Sequence, residues 1–242
     1  MRYFIWLSFD GTQYHGWQIQ PNGMSVQERL QGALTTLLRQ PTEVTGAGRT
    51  DAGVHARVMV AHFDTPDPQD TDQLCYRLNR LLPRDISVSR IEHVADDLHA
   101  RFSATRRTYR YFVHTHKDPF LRHYSVEMHY PLDFALMNEA AGYLLQVDDF
   151  RAFCKAGADV KTTLCDVSAA HWVKNGDGEY YFEIAANRFL RNMVRAVVGT
   201  LIDVGRGRIT VEQFRQTVDT GTRSDAGESM PANGLFLWEI DY

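Results

Sequence analysis

The stretch SVQERLQGALTTLLRQP, Ser25 to Pro41, reads as one amphipathic helix around which the neighbouring segments fall into order. Ser25 with Glu28 three residues on is a capping-box signature. Val26, Leu30, Leu34, Leu37 and Leu38 recur at helical spacing, and Pro41 stops the run. Upstream, RYFIWLSFD (Arg2 to Asp10) reads as a first strand ending at Gly11. Downstream, residues 43–50 and 56–64 (ARVMVAHFD) read as two strands around the turn-rich TDAGVH. A second helix near 71–82 carries Leu74, Leu78, Leu81 and Leu82 and stops at Pro83, and Ile86 to Val94 alternates as a strand. The order β-α-β-β-α-β is that of a split-βαβ, ferredoxin-like unit.

The second half is similar in kind and less regular. Strands are expected at 105–114, 125–130, 164–173, 179–186 and 234–241, and helices near 133–145, 190–204 and 210–219. The helix at 190–204 carries Leu190, Met193, Val194, Val197, Val198, Leu201 and Ile202 on one stripe, which predicts packing against a sheet. The reading is an α+β chain of two ferredoxin-like halves, 1–97 and 98–242, with mainly antiparallel sheets, joined near residues 95–103. Ligands favour the groove between such halves.

Composition narrows the class. Of 242 residues, 44 % are apolar and 23 % charged, with 17 Gly and 8 Pro, which excludes disorder, collagen-like repeats and low-complexity arrays. Cys75, Cys154 and Cys165 are odd in number and form no C-x-x-C pair, so a reducing, cytoplasmic compartment fits better than secretion. Met1 to Phe9 has no long apolar run or cleavage site and reads as a strand, and no stretch is long enough for a membrane span.

The net charge of −4 argues mildly against a nucleic-acid partner, yet the basic residues are 22 Arg against only 4 Lys. The planar Arg fork suits carboxylate and phosphate. By segment, residues 101–125 are net +5 and 181–215 net +3, while the excess acid lies in 51–100, 126–180 and 216–242. Within 101–110 (RFSATRRTYR), four Arg alternate with Phe102 and Tyr109, which combines phosphate-binding forks with faces that stack on bases. A solvated strand reads the same way. Arg188, Arg191 and Arg195 share one face of the expected helix, and Arg188 and Arg191 lie at its start, where the macrodipole disfavours cations. An anion bridging them, phosphate or carboxylate, accounts for the arrangement, as do incidental surface charges.

Between two expected strands lies GAGRTDAGVHA, Gly46 to Ala56. It lacks the G-K-[ST] of a P-loop and the G-x-G-x-x-G of a dinucleotide fold, so it is not read as a phosphate cradle. On chemistry alone, Asp51 beside glycine reads as an Asx-turn residue.

This segment resembles, over its whole length, the signature of the tRNA pseudouridine synthase A family. Other segments do so in order: Tyr14-His15-Gly16-Trp17-Gln18, Gln20-Pro21-Asn22, Ser25-Val26-Gln27, Leu78-Asn79 with Leu81-Leu82-Pro83, His99 to Thr105 leading to Tyr109-Arg110-Tyr111, Asn187 to Gly199, and Pro231 to Leu237. Leu98 stands where Phe is common, and Arg191-Asn192 where some members carry His-His, departures that bear on substrate contacts rather than on chemistry.

The resemblance implies conversion of uridine to pseudouridine with no cofactor and no metal, a central basic active-site cleft, homodimers, and tRNA uridines 38–40 of the anticodon arm as substrate. It makes Asp51 the nucleophile, at C6 of the base or at the sugar. Burial disfavours a charged carboxylate, so a cation has to oppose it; by resemblance Arg195 pairs with Asp51, leaving Arg188 and Arg191 for phosphates. Tyr109 matches the Tyr that stacks on the target base, with a hydroxyl placed to help proton transfer; Arg49 is a candidate to fill the space left by the flipped nucleotide or to contact its backbone; and Leu235 matches an apolar residue lining the base pocket, with ordinary core packing as the other reading. His114, His116, His123 and His129 lack a tight ligand pattern. Two alternatives stand beside this reading: a non-catalytic RNA-binding module, which lacks support from an RNP1-type aromatic pattern, and a pseudouridine synthase acting on a different RNA uridine.

Overall fold

A computed structural model describes residues 1–158 and 160–242. The chain divides into two compact units, Met1–Thr105 with Phe236–Tyr242, and Arg106–Leu235. The first unit therefore extends past residue 97 and takes the last strand of the chain, a long-range return that element order does not reveal.

In the first unit, β1 (Arg2–Phe9), α1 (Val26–Leu38), β2 (Thr45–Gly46), β3 (His55–Asp64), α2 (Thr71–Leu81) and β4 (Ile86–Val94) follow in the order read from the sequence. β1 lies between β3 and β4, antiparallel to both, and β2 pairs antiparallel with β3. The strand expected at 43–50 shrinks to two residues, because after the Ala47 N–H bonds the Val60 carbonyl (2.7 Å) the glycine-rich segment leaves the ladder. A further strand, Leu235–Asp241, runs parallel to β3 through His55↔Phe236 and Ala56↔Leu237. The register sets Tyr3, Ile5 and Leu7 opposite Phe63, Ala61 and Met59, all buried, so one sheet face is continuously apolar. Leu30 and Leu34 of α1 and Leu74 and Leu78 of α2 are buried with them. Ser25 caps α1 by accepting the Glu28 N–H at 3.2 Å, and Asp70 caps α2 through Gln73.

The second unit holds β5 (Arg106–His114), β6 (Val126–Glu127), α3 (Phe134–Tyr143), β7 (Val167–Gly176), β8 (Glu179–Ala186), α4 (Met193–Gly205) and α5 (Val211–Thr220). β8 is antiparallel to both β5 and β7, while the short β6 is parallel to β5. Ala196, Val197, Val198 and Leu201 of α4 are fully enclosed. Among the described residues, no helix is long and apolar enough to cross a membrane. With the last strand numbered β9, the chain is a mixed α/β protein of mostly antiparallel strands.

One element departs from the expectation in a way that matters. α4 begins at Met193, not at 190, with Asn192 before it at φ 66°. Arg188 and Arg191 therefore precede the helix and do not share a face with Arg195. Asparagine side chains compete with helical hydrogen bonds and tolerate the left-handed region. Asn187 Oδ1 accepts the Asp166 N–H (3.0 Å), and Asn192 Nδ2 donates to Ser229 Oγ, so both are committed outside a helix.

Candidate active site

In the first unit, Asp51 sits half-buried on the loop between β2 and β3, with Arg49 exposed two residues before it. The Val54 N–H bonds the Asp51 carbonyl at 3.2 Å, which closes a turn through Gly53 at φ 79°. The acceptor is the Asp51 backbone carbonyl, so this bond closes a backbone turn and is not the side-chain bond of the Asx turn read from the sequence. What holds the turn comes from elsewhere: the Trp17 N–H bonds the Thr50 carbonyl (3.4 Å) and the Gly53 N–H bonds the Tyr14 carbonyl (3.2 Å). Asp51 is thus bracketed on both sides by segment 14–17.

Glycine permits that approach at two positions. A Cβ on Gly11 would overlap the Val54 carbonyl, and one on Gly16, whose φ is +85°, would overlap the Thr50 carbonyl. Gly16→Ala combines this overlap with a strained φ, and is expected to lower stability by about 1–3 kcal/mol in denaturant titration. Activity should fall further than that loss explains, since the clash falls on the residue next to Asp51. Below the loop, Tyr14 donates its hydroxyl to Asp85 Oδ1 at 2.7 Å, and burial pushes that hydroxyl's pKa up. His55 is buried, accepts the Gly11 N–H on Nδ1 (3.0 Å) and stacks on Phe236 at 4.6 Å. The Tyr-His-Gly-Trp segment resembles the family's opening, yet its role as a clasp is not legible in the sequence, because it acts through backbone groups.

In the second unit, Tyr109 lies on β5 opposite Ile184, with its half-buried ring met edge-on by Phe189 at 5.0 Å. Two residues along, the buried Tyr111 donates its hydroxyl to the Pro231 carbonyl at 2.8 Å. Burial pushes the Tyr111 hydroxyl pKa well up and the nearby Arg195 guanidinium pulls it down. Arg195, in the first turn of α4, donates Nε to the Met230 carbonyl at 2.5 Å. Leu235 is buried directly after Gly234, where a Cβ would press on the Tyr111 ring and the Phe112 carbonyl at 2.9 Å.

The basic residues divide by what they touch. Arg107 donates to the Asn187 carbonyl at 2.8 Å, and Arg110 pairs with Glu183 at 2.7 Å and lies over the Tyr181 ring. These two help build the unit. Arg101 lies 5.6 Å over Phe102, whose ring is 77 % exposed, so this pair presents cation and aromatic face outward. Arg188 is half-buried, reaches the Thr162 carbonyl at 3.4 Å and lowers the pKa of the Cys154 thiol against the larger effect of burial. Arg191 is exposed. Of the four histidines singled out, His114 is buried on Ser125 Oγ (2.8 Å) with its pKa lowered by burial, and His129 lies 3.4 Å from Glu127.

Comparison with known proteins gives the class first: the family model described as tRNA pseudouridine synthase matches residues 5–103 and 140–242. These spans include Asp51 and Arg195. The chain is 55 % identical over 242 residues to a tRNA pseudouridine synthase A of Bacteroides fragilis, covering all of this chain and 96 % of the relative. It is 56 % identical to that of Bacteroides thetaiotaomicron (all of this chain, 90 % of the relative) and 40 % to that of Bacillus subtilis (all of this chain, 99 % of the relative). The chain belongs to the tRNA pseudouridine synthase family.

Proposed function

We propose that this protein isomerises uridine to pseudouridine in tRNA, at positions 38–40 of the anticodon arm, as a cytoplasmic homodimer that needs no cofactor. The N1–C1′ bond breaks, the base turns, and C5 bonds C1′, with the C5 proton lost and one gained at N1. The observation that carries the reading is a half-buried aspartate on a turn bracketed by backbone bonds from Tyr14 and Trp17, in a chain that matches synthases of this name end to end. A nucleophile needs this fixed placement more than it needs mobility.

In this reading the half carrying the Asp loop supplies Asp51, and the half carrying the Tyr strand and basic helix supplies Tyr109 and Arg195. Arg195 is the counter-ion that pairs with Asp51 and orients it, Tyr109 stacks on the flipped base, Arg49 occupies the space the nucleotide leaves, and Leu235 lines the base pocket. The order β4-β1-β3-β2 with antiparallel neighbours supports a ferredoxin-like first half. The Arg skew within 101–125 and 181–215 supports an RNA-facing basic cleft on an otherwise acidic chain.

Arg188 and Arg191, set in a loop before α4, are assigned to phosphates. Each Arg→Ala replacement is expected to raise the Kd for tRNA. The slope of log K against log salt should fall by about 0.7–0.9 for each phosphate no longer neutralised. Filter binding across a salt titration measures both, and unchanged affinity for both variants rejects the assignment. The function itself is tested by incubating the protein with unmodified tRNA transcripts and mapping pseudouridine by carbodiimide chemistry. Modification outside the anticodon arm rejects the proposed substrate, and binding without product leaves an RNA-binding module.

A further inference from the structure

Arg195 stands where a cation is least at home, at the third residue of α4, in the positive field of the helix start. Its orientation comes from a segment with little regular structure, residues 222–231, which crosses back over the helix. The Met230 N–H bonds the Arg195 carbonyl at 3.1 Å while the Arg195 Nε donates to the Met230 carbonyl at 2.5 Å. This reciprocal pair fixes the plane of the guanidinium and leaves the direction of its two terminal nitrogens set by where Met230 lies.

The residues leading into Met230 are held by a second arginine. Arg223 forks onto its own segment: Nη1 reaches the carbonyls of Ala226 (3.3 Å) and Gly227 (3.0 Å), and Nη2 reaches Ser229 Oγ at 2.7 Å. The same Ser229 hydroxyl accepts from Asn192, the residue just before α4. The Gly227 N–H donates to Thr200 Oγ1 at 2.9 Å, and Thr200 in turn donates to the Ala196 carbonyl at 2.8 Å. A Cβ on Gly199 would overlap the Glu228 carbonyl, and one on Gly227 would lie 2.9 Å from Gly199 C and Thr200 N. Strap and helix therefore meet backbone to backbone. At its far end the strap is tied by the Tyr111 hydroxyl to Pro231.

We propose that Arg223, through Ser229 and Met230, is a positioning residue for the reaction: it sets the guanidinium of Arg195. The proposal rests on the reading in which Arg195 serves the isomerisation. Arg223 is a partly buried cation whose fork is taken up by neutral oxygens of a surface segment, an arrangement that rigidifies the strap.

The test uses the full chain and unmodified tRNA transcripts, with kcat, KM and tRNA Kd measured for Ser229→Ala, Arg223→Lys, Arg195→Lys and the double variant Arg195→Lys with Ser229→Ala. Ser229→Ala removes one hydroxyl and is the mildest change; Arg223→Lys keeps the charge and loses the fork. Each is expected to lower kcat about tenfold with KM and Kd within about twofold, since small misplacements of an oriented group carry large rate penalties. In the Arg195→Lys background, Ser229→Ala should add no further loss, because coupled residues are not additive. A purely structural strap predicts additive losses, and that result overturns the proposal. So does an undiminished kcat in both Ser229→Ala and Arg223→Lys while Arg195→Lys is impaired. An unimpaired Arg195→Lys instead refutes the role of Arg195 itself, and the positioning role with it.

Discussion

Asp51→Asn is expected to abolish pseudouridine formation, a loss of at least about 10³-fold in kcat, while tRNA affinity and the unfolding midpoint stay near those of the parent protein. The carboxamide has nearly the carboxylate's shape, so the turn closed by the Asp51 carbonyl and the Val54 N–H is kept. The brackets from Tyr14 and Trp17 are backbone bonds and do not depend on the side chain. What disappears is the negative charge and its nucleophilicity. Single-turnover assays with excess enzyme check this, and substantial residual product would reject Asp51 as nucleophile.

Tyr109→Phe is the second large effect. The ring of Tyr109 is held edge-on by Phe189 at 5.0 Å, a contact that phenylalanine reproduces in full. Stacking on a flipped base should therefore survive, and tRNA binding with it. We propose that the hydroxyl also helps proton transfer, so its loss is expected to lower kcat about 10²-fold with KM little changed. A Tyr109→Leu variant that raises KM, beside a Tyr109→Phe variant with parental kcat, would assign the residue to stacking alone.

The strand and helix order of both units is legible because it is written in local periodicity. Val26, Leu30 and Leu34 face one way whatever they pack against, and the Ser25 cap needs only Glu28, three residues away. Asp51, Tyr109 and Arg195 are reached by resemblance, since an aspartate beside glycine has the same local chemistry in any turn. The placement of Arg188 and Arg191 on a helix fails for a physical reason. Phe189 and Leu190 continue the apolar stripe, but Asn187 and Asn192 hydrogen-bond to Asp166 and Ser229, partners that periodicity does not contain.

Local residue patterns carry an α+β chain with a glycine-rich aspartate loop, an aromatic-basic strand and an arginine near a helix start. Tertiary structure alone decided which backbone groups hold that loop, that the final strand returns to β3, and that a strap bonds Arg195. Those bonds join Tyr14 to Gly53, Met230 to Arg195 and Pro231 to Tyr111, the last two 35 and 120 residues apart. Local patterns record what a residue prefers among its neighbours. A carbonyl's distant partner depends on how whole elements pack, and on glycines such as Gly16 and Gly199 that let two backbones touch.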